Sequence, residues 1–222
     1  MKYPVKIRSI EHVTHDVLGI RVDKPESLVY IPGQATEVFI DREGWLEEGR
    51  PFTFTSLPDA DYLEFTIKTY PERKGVTAQL LQLQAGDGLL LNDVFGEIAY
   101  KGEGLFIAGG AGLTPFLAIL RQLQNEDRIG NNRLLFANKR KADIIHEDEL
   151  HRLLGAGFVN VLSDEMLPGY EHGYVSGNLL KRMIPDSGSY IYLCGPPPMM
   201  DAVEAELAAL KIDPEHIIKE GF

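Results

Sequence analysis

Cysteine is nearly absent from this chain: among 222 residues there is one, Cys194. A lone thiol closes no internal disulfide, so nothing in the sequence calls for an oxidising compartment. It also excludes a resident iron–sulfur cluster on four cysteines and an all-cysteine zinc site. The histidines (His12, His15, His146, His151, His172 and His216) show no ligand spacing, so no metal is expected. Positive charge is scarce as well, with 22 Lys and Arg against 33 Asp and Glu and a net charge of −11. That balance argues against nucleic acid, whose phosphates are held by basic side chains, and against an anionic membrane surface. Long apolar runs are missing too. Lys2, Lys6 and Arg8 precede no apolar stretch that would make a signal peptide. The longest uncharged run, residues 104–120, is broken by glycines and Pro115 and makes a poor membrane helix. A cytoplasmic protein without membrane insertion is expected.

What is present suits a packed globular protein: 44% hydrophobic and 25% charged residues, with length enough for two domains. Short apolar or alternating runs at Val5–His12, Val17–Val22, Thr36–Asp41, Pro51–Thr55, Leu63–Lys68 and Leu89–Asn92 read as strands. Pro32-Gly33, Glu43-Gly44 and Pro58-Asp59 punctuate them, and Val76–Gln84 reads as a helix. This rhythm predicts an antiparallel six-stranded β-barrel over residues 1–100. After Lys101, strands at Leu105–Ala108, Arg133–Ala137, Phe158–Leu162 and Tyr190–Cys194 alternate with helices at Pro115–Gln124, Glu147–Leu154, Gly177–Met183 and Pro197–Leu210. A short strand, His216–Lys219, follows. The alternation predicts an α/β doubly wound parallel sheet over residues 101–222.

Two motifs mark strand ends in that second half. Gly109-Gly110-Ala111-Gly112-Leu113-Thr114-Pro115 follows a buried strand and opens a helix, the context that a phosphate loop requires. A glycine turn that merely packs strand on helix would carry the same residues. Cys194-Gly195-Pro196-Pro197-Pro198-Met199-Met200 ends another apolar strand about 80 residues on.

Taken in order along nearly the whole chain, these motifs resemble the ferredoxin–NADP reductase superfamily, which includes cytochrome b5 reductase and the reductase components of oxygenases. The resemblance implies that Arg50-Pro51-Phe52-Thr53-Phe54-Thr55-Ser56 is the flavin-binding strand, with Arg50, Pro51, Phe52, Thr53 and Ser56 at the cofactor. Phe52 stands where the family usually has tyrosine, which removes one hydroxyl and its hydrogen bond. The segment Ile67-Lys68-Thr69 is expected along the flavin. Gly75-Val76-Thr77 is expected to cap its diphosphate, which favours FAD over FMN. Gly110, Ala111 and Gly112 are assigned to the nicotinamide nucleotide, as are Cys194, Gly195, Pro196 and Met199. The resemblance places Thr114, Cys194, Glu220 and the final Phe222 at the reacting centre, Phe222 covering the flavin ring. Ser163-Asp164 occupies the position of a Ser-Arg pair that grips the 2′-phosphate in NADP-specific members, so NADH is favoured over NADPH. The basic cluster Lys139–Lys141 is the feature against that preference. The implied activity is hydride transfer from a nicotinamide to FAD, then single electrons to a separate carrier such as ferredoxin, flavodoxin or an oxygenase component. A non-catalytic electron-transfer or nucleotide-sensing subunit of a larger complex is the alternative.

Overall fold

The computed structural model describes residues 2–220, so Met1, Gly221 and Phe222 lie outside the described residues. The chain divides into two compact units, Met1–Ala99 and Tyr100–Phe222.

The first unit runs β1 (Tyr3–Thr14), β2 (Val17–Asp23), β3 (Ala35–Ile40), β4 (Arg50–Thr53), β5 (Tyr62–Lys68), α1 (Val76–Leu80) and β6 (Gly88–Phe95). The strands pair antiparallel in the order β4-β3-β6-β1-β2-β5. A bridge between Phe54 and Phe65, with the Thr55 amide donating to the Glu64 carbonyl at 2.7 Å, joins the end strands and closes a barrel. Alternation sets the register: on β1, Val5 and Ile7 are buried while Lys6 and Arg8 face water. Inside, the Tyr30 and Phe54 rings stack at 4.2 Å and Phe54 meets Phe65 at 5.4 Å. Truncating Phe65 to alanine would leave a cavity costing about 3–5 kcal/mol.

Helix α1 is shorter than the expected Val76–Gln84. After Leu80 the chain tightens, with Gln82 N bonding Gln79 O and Leu83 N bonding Leu80 O, and it turns through Gly86 at φ +93°. Leu83 remains buried, so the apolar pattern that suggested four more helical residues is satisfied by a turn.

The second unit runs β7 (Gly104–Gly109), α2 (Thr114–Asn125), β8 (Arg133–Asn138), α3 (Glu147–Leu154), β9 (Phe158–Leu162), β10 (Glu171–His172), α4 (Gly177–Met183), β11 (Tyr190–Cys194), α5 (Pro197–Ala209) and β12 (Ile217–Lys219). All six strands are parallel, ordered β10-β9-β8-β7-β11-β12. Barrel and parallel sheet are therefore both as the sequence predicts. The two-residue β10 is not anticipated, being too short to carry a periodic signal.

Strand β7 is buried on both faces, which explains its unbroken apolar run. Leu105, Ile107, Ile191 and Leu193 pack against Leu179 and Met183 of α4 and Val203 and Leu207 of α5. On the opposite face Phe106 stacks on Tyr192 at 4.3 Å and meets Phe116 of α2 edge-on at 5.2 Å. The Tyr192 hydroxyl accepts from the Lys101 and Gly102 amides and donates to the Gly102 carbonyl, fixing the entry to β7. Arg121 of α2 holds Glu149 of α3 in a two-pronged ion pair at 2.6 and 2.9 Å. The chain leaves β7 toward β8 and β9, then returns to β11 on the other side of β7. The point where it reverses is where open α/β sheets bind ligands.

Candidate functional site

In the second unit the two motifs meet at that reversal. Ala108 and Cys194 are register partners, so the turns leaving β7 and β11 lie side by side. A Cβ on Gly112 would collide with the Cys194 carbonyl, standing 2.5 Å from its carbon and 2.8 Å from the Gly195 nitrogen. Only glycine permits this approach. Gly110 has φ +53°, and the space its Cβ would fill is open. Pro196 and Met199 pack over Gly109. The residues 110–113 form a single tight turn that runs into α2, and neither it nor the helix start has a side-chain cap. Their N–H groups and the positive end of α2 suit an anion. The start of α5 differs. Residues 196–198 are prolines without N–H groups, and the Met199 and Met200 amides already bond the Pro196 carbonyl.

The Thr114 hydroxyl donates to the Ala111 carbonyl at 3.0 Å, bracing the glycine turn from within. Cys194 is fully buried, and burial, then the charge of Glu220, pushes its thiol up to about 12. The structure thus brings Glu220 within electrostatic reach of Cys194, and the thiol stays protonated at neutral pH. Phe222, assigned to the flavin ring from the sequence, lies outside the described residues.

The ends of β8 and β9 are cross-tied. Ser163 N bonds Asn138 O at 3.0 Å, Asp164 N bonds Lys139 O at 2.9 Å, and Lys141 N donates to the Glu165 carboxylate at 2.8 Å. The Ser163 hydroxyl donates to Asp164 at 2.7 Å, and Asp164 is exposed. The basic cluster Lys139–Lys141 therefore has Asp143, Asp164 and Glu165 as immediate acidic neighbours, and the Lys141 ammonium sits over the Tyr170 ring.

In the first unit Arg50 and Pro51 are exposed, Phe52 is half-buried against the barrel core, and Thr53 is buried. The Arg50 guanidinium donates to the adjacent Gly49 carbonyl and stands 3.8 Å from Glu48, a loose pairing for a group with five donors. Gly75 caps α1 with extended backbone and open space where a side chain would be. Thr77 accepts from the Tyr70 amide, which keeps its hydroxyl proton for an outside acceptor. These features fit a phosphate-bearing cofactor. Other predicted positions offer only backbone. Ile67 and Val76 point into the core, the Lys68 ammonium is paired with Asp16 at 2.7 Å, and the Thr69 hydroxyl donates to the Asp16 carbonyl. The Ser56 hydroxyl is buried and engaged by Tyr30 and the Glu64 amide. Sequence reading passed over Asp16, which anchors the end of β5, and Tyr30; each sits in an ordinary-looking turn or loop. Among the described residues no three His, Cys, Asp or Glu side chains gather as a metal site. No helix among them is long and apolar enough to cross a membrane.

Comparison with known families matches residues 2–87 to an FAD-binding domain and residues 106–205 to an oxidoreductase NAD-binding domain. The propane 2-monooxygenase reductase component of Rhodococcus jostii is 31% identical over 98% of this chain and 62% of its own length. This chain spans 62–66% of the length of such reductase components. NADH-cytochrome b5 reductase 1 of Aspergillus terreus is 31% identical over 88% of this chain and 69% of its own length. A ferredoxin NADP+ reductase from Neisseria gonorrhoeae, solved with FAD and NADP bound, shares the fold at TM-score 0.84 and 23% identity, covering 99% of this chain and 98% of that one. A closed barrel, a parallel sheet with abutting glycine turns at its reversal, and matches running through both units lead to one assignment: the chain belongs to the ferredoxin–NADP reductase-like superfamily.

Proposed function

We propose that this chain is an FAD-dependent NAD(P)H oxidoreductase that hands electrons to a separate acceptor protein such as ferredoxin, flavodoxin or an oxygenase component. Residues 1–100 serve the flavin and residues 101–222 the nicotinamide nucleotide. The observation that carries the reading is the contact of Gly112 with Cys194 and Gly195, which gathers two distant motifs at the ligand-binding reversal of the sheet. A flavin held by the first unit would supply the chemistry that links hydride uptake from a reduced nicotinamide to single-electron release.

The chain's own groups bind, orient and exclude water. Arg50 reaches flavin phosphate oxygens with paired donors, while the Gly75–Thr77 turn adds amide groups and a hydroxyl, which favours FAD. Phe52 offers an aromatic face, and Thr53 lies beside it on the same strand. Gly110, Ala111 and Gly112 let the backbone approach a pyrophosphate. The neutral thiol of Cys194, with Gly195, Pro196 and Met199, forms an uncharged wall for the nicotinamide, and Thr114 braces the facing turn. Asp164, with Ser163, repels a 2′-phosphate and accepts from a ribose hydroxyl, so NADH is the preferred donor. The working compartment is the cytoplasm.

The test is an absorbance spectrum of the purified chain followed by NADH and NADPH titrations. Bound flavin that NADH bleaches at lower concentration than NADPH is expected. A colourless protein that neither takes up FAD nor oxidises NADH with ferricyanide would sink the reading.

A further inference from the structure

The strand that resembles the flavin-binding segment changes partners at its midpoint. Thr53 still pairs with Ala35 of β3, but Phe54 bridges to Phe65 of β5. The next two residues are held there by a buried network. The Thr55 hydroxyl meets the Glu64 carboxylate at 3.3 Å and the Thr66 hydroxyl at 3.2 Å. The Ser56 hydroxyl accepts from the Glu64 amide at 2.9 Å and meets the Tyr30 hydroxyl at 2.9 Å, and Tyr30 also donates to the Ser56 carbonyl at 3.0 Å. The Tyr30 ring stacks on Phe54, and both residues are at most 3% exposed. One tyrosine thus grips the segment by its ring and by its hydroxyl, at the position where the barrel closes.

We infer that Tyr30 is a positioning residue for the flavin-binding segment Arg50–Thr53, and that Ser56 acts through this clamp on the barrel frame instead of touching the flavin. The inference rests on the flavin reading above. A buried hydroxyl that already exchanges hydrogen bonds with a tyrosine and a backbone amide has little left for a ligand. Its contribution to binding is to keep the strand from sliding at the partner change, so that Arg50 and Thr53 stay where a cofactor meets them.

The experiment is a double-mutant cycle of Tyr30→Phe and Ser56→Ala, read by FAD affinity of the FAD-free full chain from flavin fluorescence. Each single variant should weaken FAD roughly threefold to tenfold. The double variant should be no weaker than the worse single, because the two changes break one device. At saturating FAD the visible spectrum of Ser56→Ala should match wild type. Val5→Ala, which thins the same core on β1, should leave FAD affinity unchanged below its melting temperature. Multiplying effects, a shifted flavin spectrum in Ser56→Ala, or equal weakening by Val5→Ala would each overturn the inference. Amide exchange at Glu64 in FAD-free protein should quicken in both variants, and unchanged exchange would also overturn it. That last arm needs no FAD, so a clamp that fails is distinguished from a wild-type chain that binds no flavin.

Discussion

Replacing Gly112 by alanine adds one methyl group where the turns leaving β7 and β11 touch. The added Cβ would stand 2.5 Å from the Cys194 carbonyl carbon and 2.8 Å from the Gly195 nitrogen, and ordinary contact begins at 3.4 Å. Both obstacles are backbone at the end of a central strand, so neither can swing aside as a side chain would. The turns must part by most of an ångström, and overpacking of this kind costs about 1–3 kcal/mol. The same displacement moves Gly110–Gly112 relative to Cys194, and misplacement on that scale can cost about 100-fold in turnover. Gly110→Ala is the matched control. Its Cβ meets open space, but φ +53° disfavours any side chain by about 1–2 kcal/mol. Thermal unfolding and steady-state NADH oxidation with ferricyanide, run on both variants, separate the effects. Gly112→Ala should lose stability and drop kcat steeply, whereas Gly110→Ala should lose a similar amount of stability with a smaller fall in kcat. Wild-type stability together with wild-type kcat in Gly112→Ala would refute the close-approach argument.

Two further predictions concern titrating groups. The Cys194 thiol is pushed up to about 12, so iodoacetamide should label native protein negligibly at pH 8 and unfolded protein readily. Because its folded pKa lies above its unfolded one, that contribution is complete below about pH 8.5 and is lost toward pH 12, at about 1.4 kcal/mol per pH unit. Denaturant unfolding should show this alkaline slope flattened in Cys194→Ala. For Asp16, burial raises the pKa, but the hydrogen bond and charge of Lys68, helped by the Thr14 hydroxyl, outweigh it and hold the carboxyl below its usual range. A depressed carboxyl stabilises above its unfolded value and loses that contribution as pH falls through the folded one. Asp16→Asn should therefore unfold more easily than wild type at pH 7, with the gap closing as the pH drops below about 4; a gap constant with pH would count against the ion pair.

Much of the fold is legible in the residues because both halves carry strong periodic signals. Glu147–Leu154, Phe158–Leu162 and Tyr190–Cys194 are the observed elements to the residue, each being apolar in one rhythm and flanked on one side by a glycine. What escaped is short or non-periodic: β10 with two residues, and the end of α1, where Leu83 is buried by a turn. At the site, glycines and strand ends could be placed from the sequence because backbone geometry demands them. The fate of side-chain hydroxyls could not. Thr69 and Ser56 look like ligands in a motif, but their partners are Asp16, Tyr30 and Glu64, which lie between 8 and 53 residues away in sequence. Hydrogen bonds over such separations leave no local pattern, so a motif alone cannot divide its polar groups between cofactor and frame.

The two helix starts at the sheet reversal show how composition polarises a binding crevice. Helices α2 and α5 begin beside each other, following adjacent strands β7 and β11. Helix geometry alone would give both a positive end with open N–H groups. The sequence makes them unequal. Glycines at 109, 110 and 112 keep the approach to α2 bare of side chains and side-chain caps, so an anion can come close to the backbone of the turn, while the Thr114 amide is bonded to the Ala111 carbonyl and Pro115 has none. Prolines at 196, 197 and 198 remove the donors at α5, and the first two remaining amides are spent on the Pro196 carbonyl. Cys194 adds a neutral thiol and Met199 a thioether on that side, neither of which binds an anion at neutral pH. One side of the crevice suits phosphate and the other suits an uncharged or weakly polar ring. A reduced nicotinamide dinucleotide has that division, with its pyrophosphate next to a neutral dihydronicotinamide ring. Converting Pro197 and Pro198 to alanine would restore two donors and should strengthen inorganic pyrophosphate as an inhibitor competing with NADH. If competition stayed at the wild-type level, the proline-capped start would not be what keeps that side free of anions.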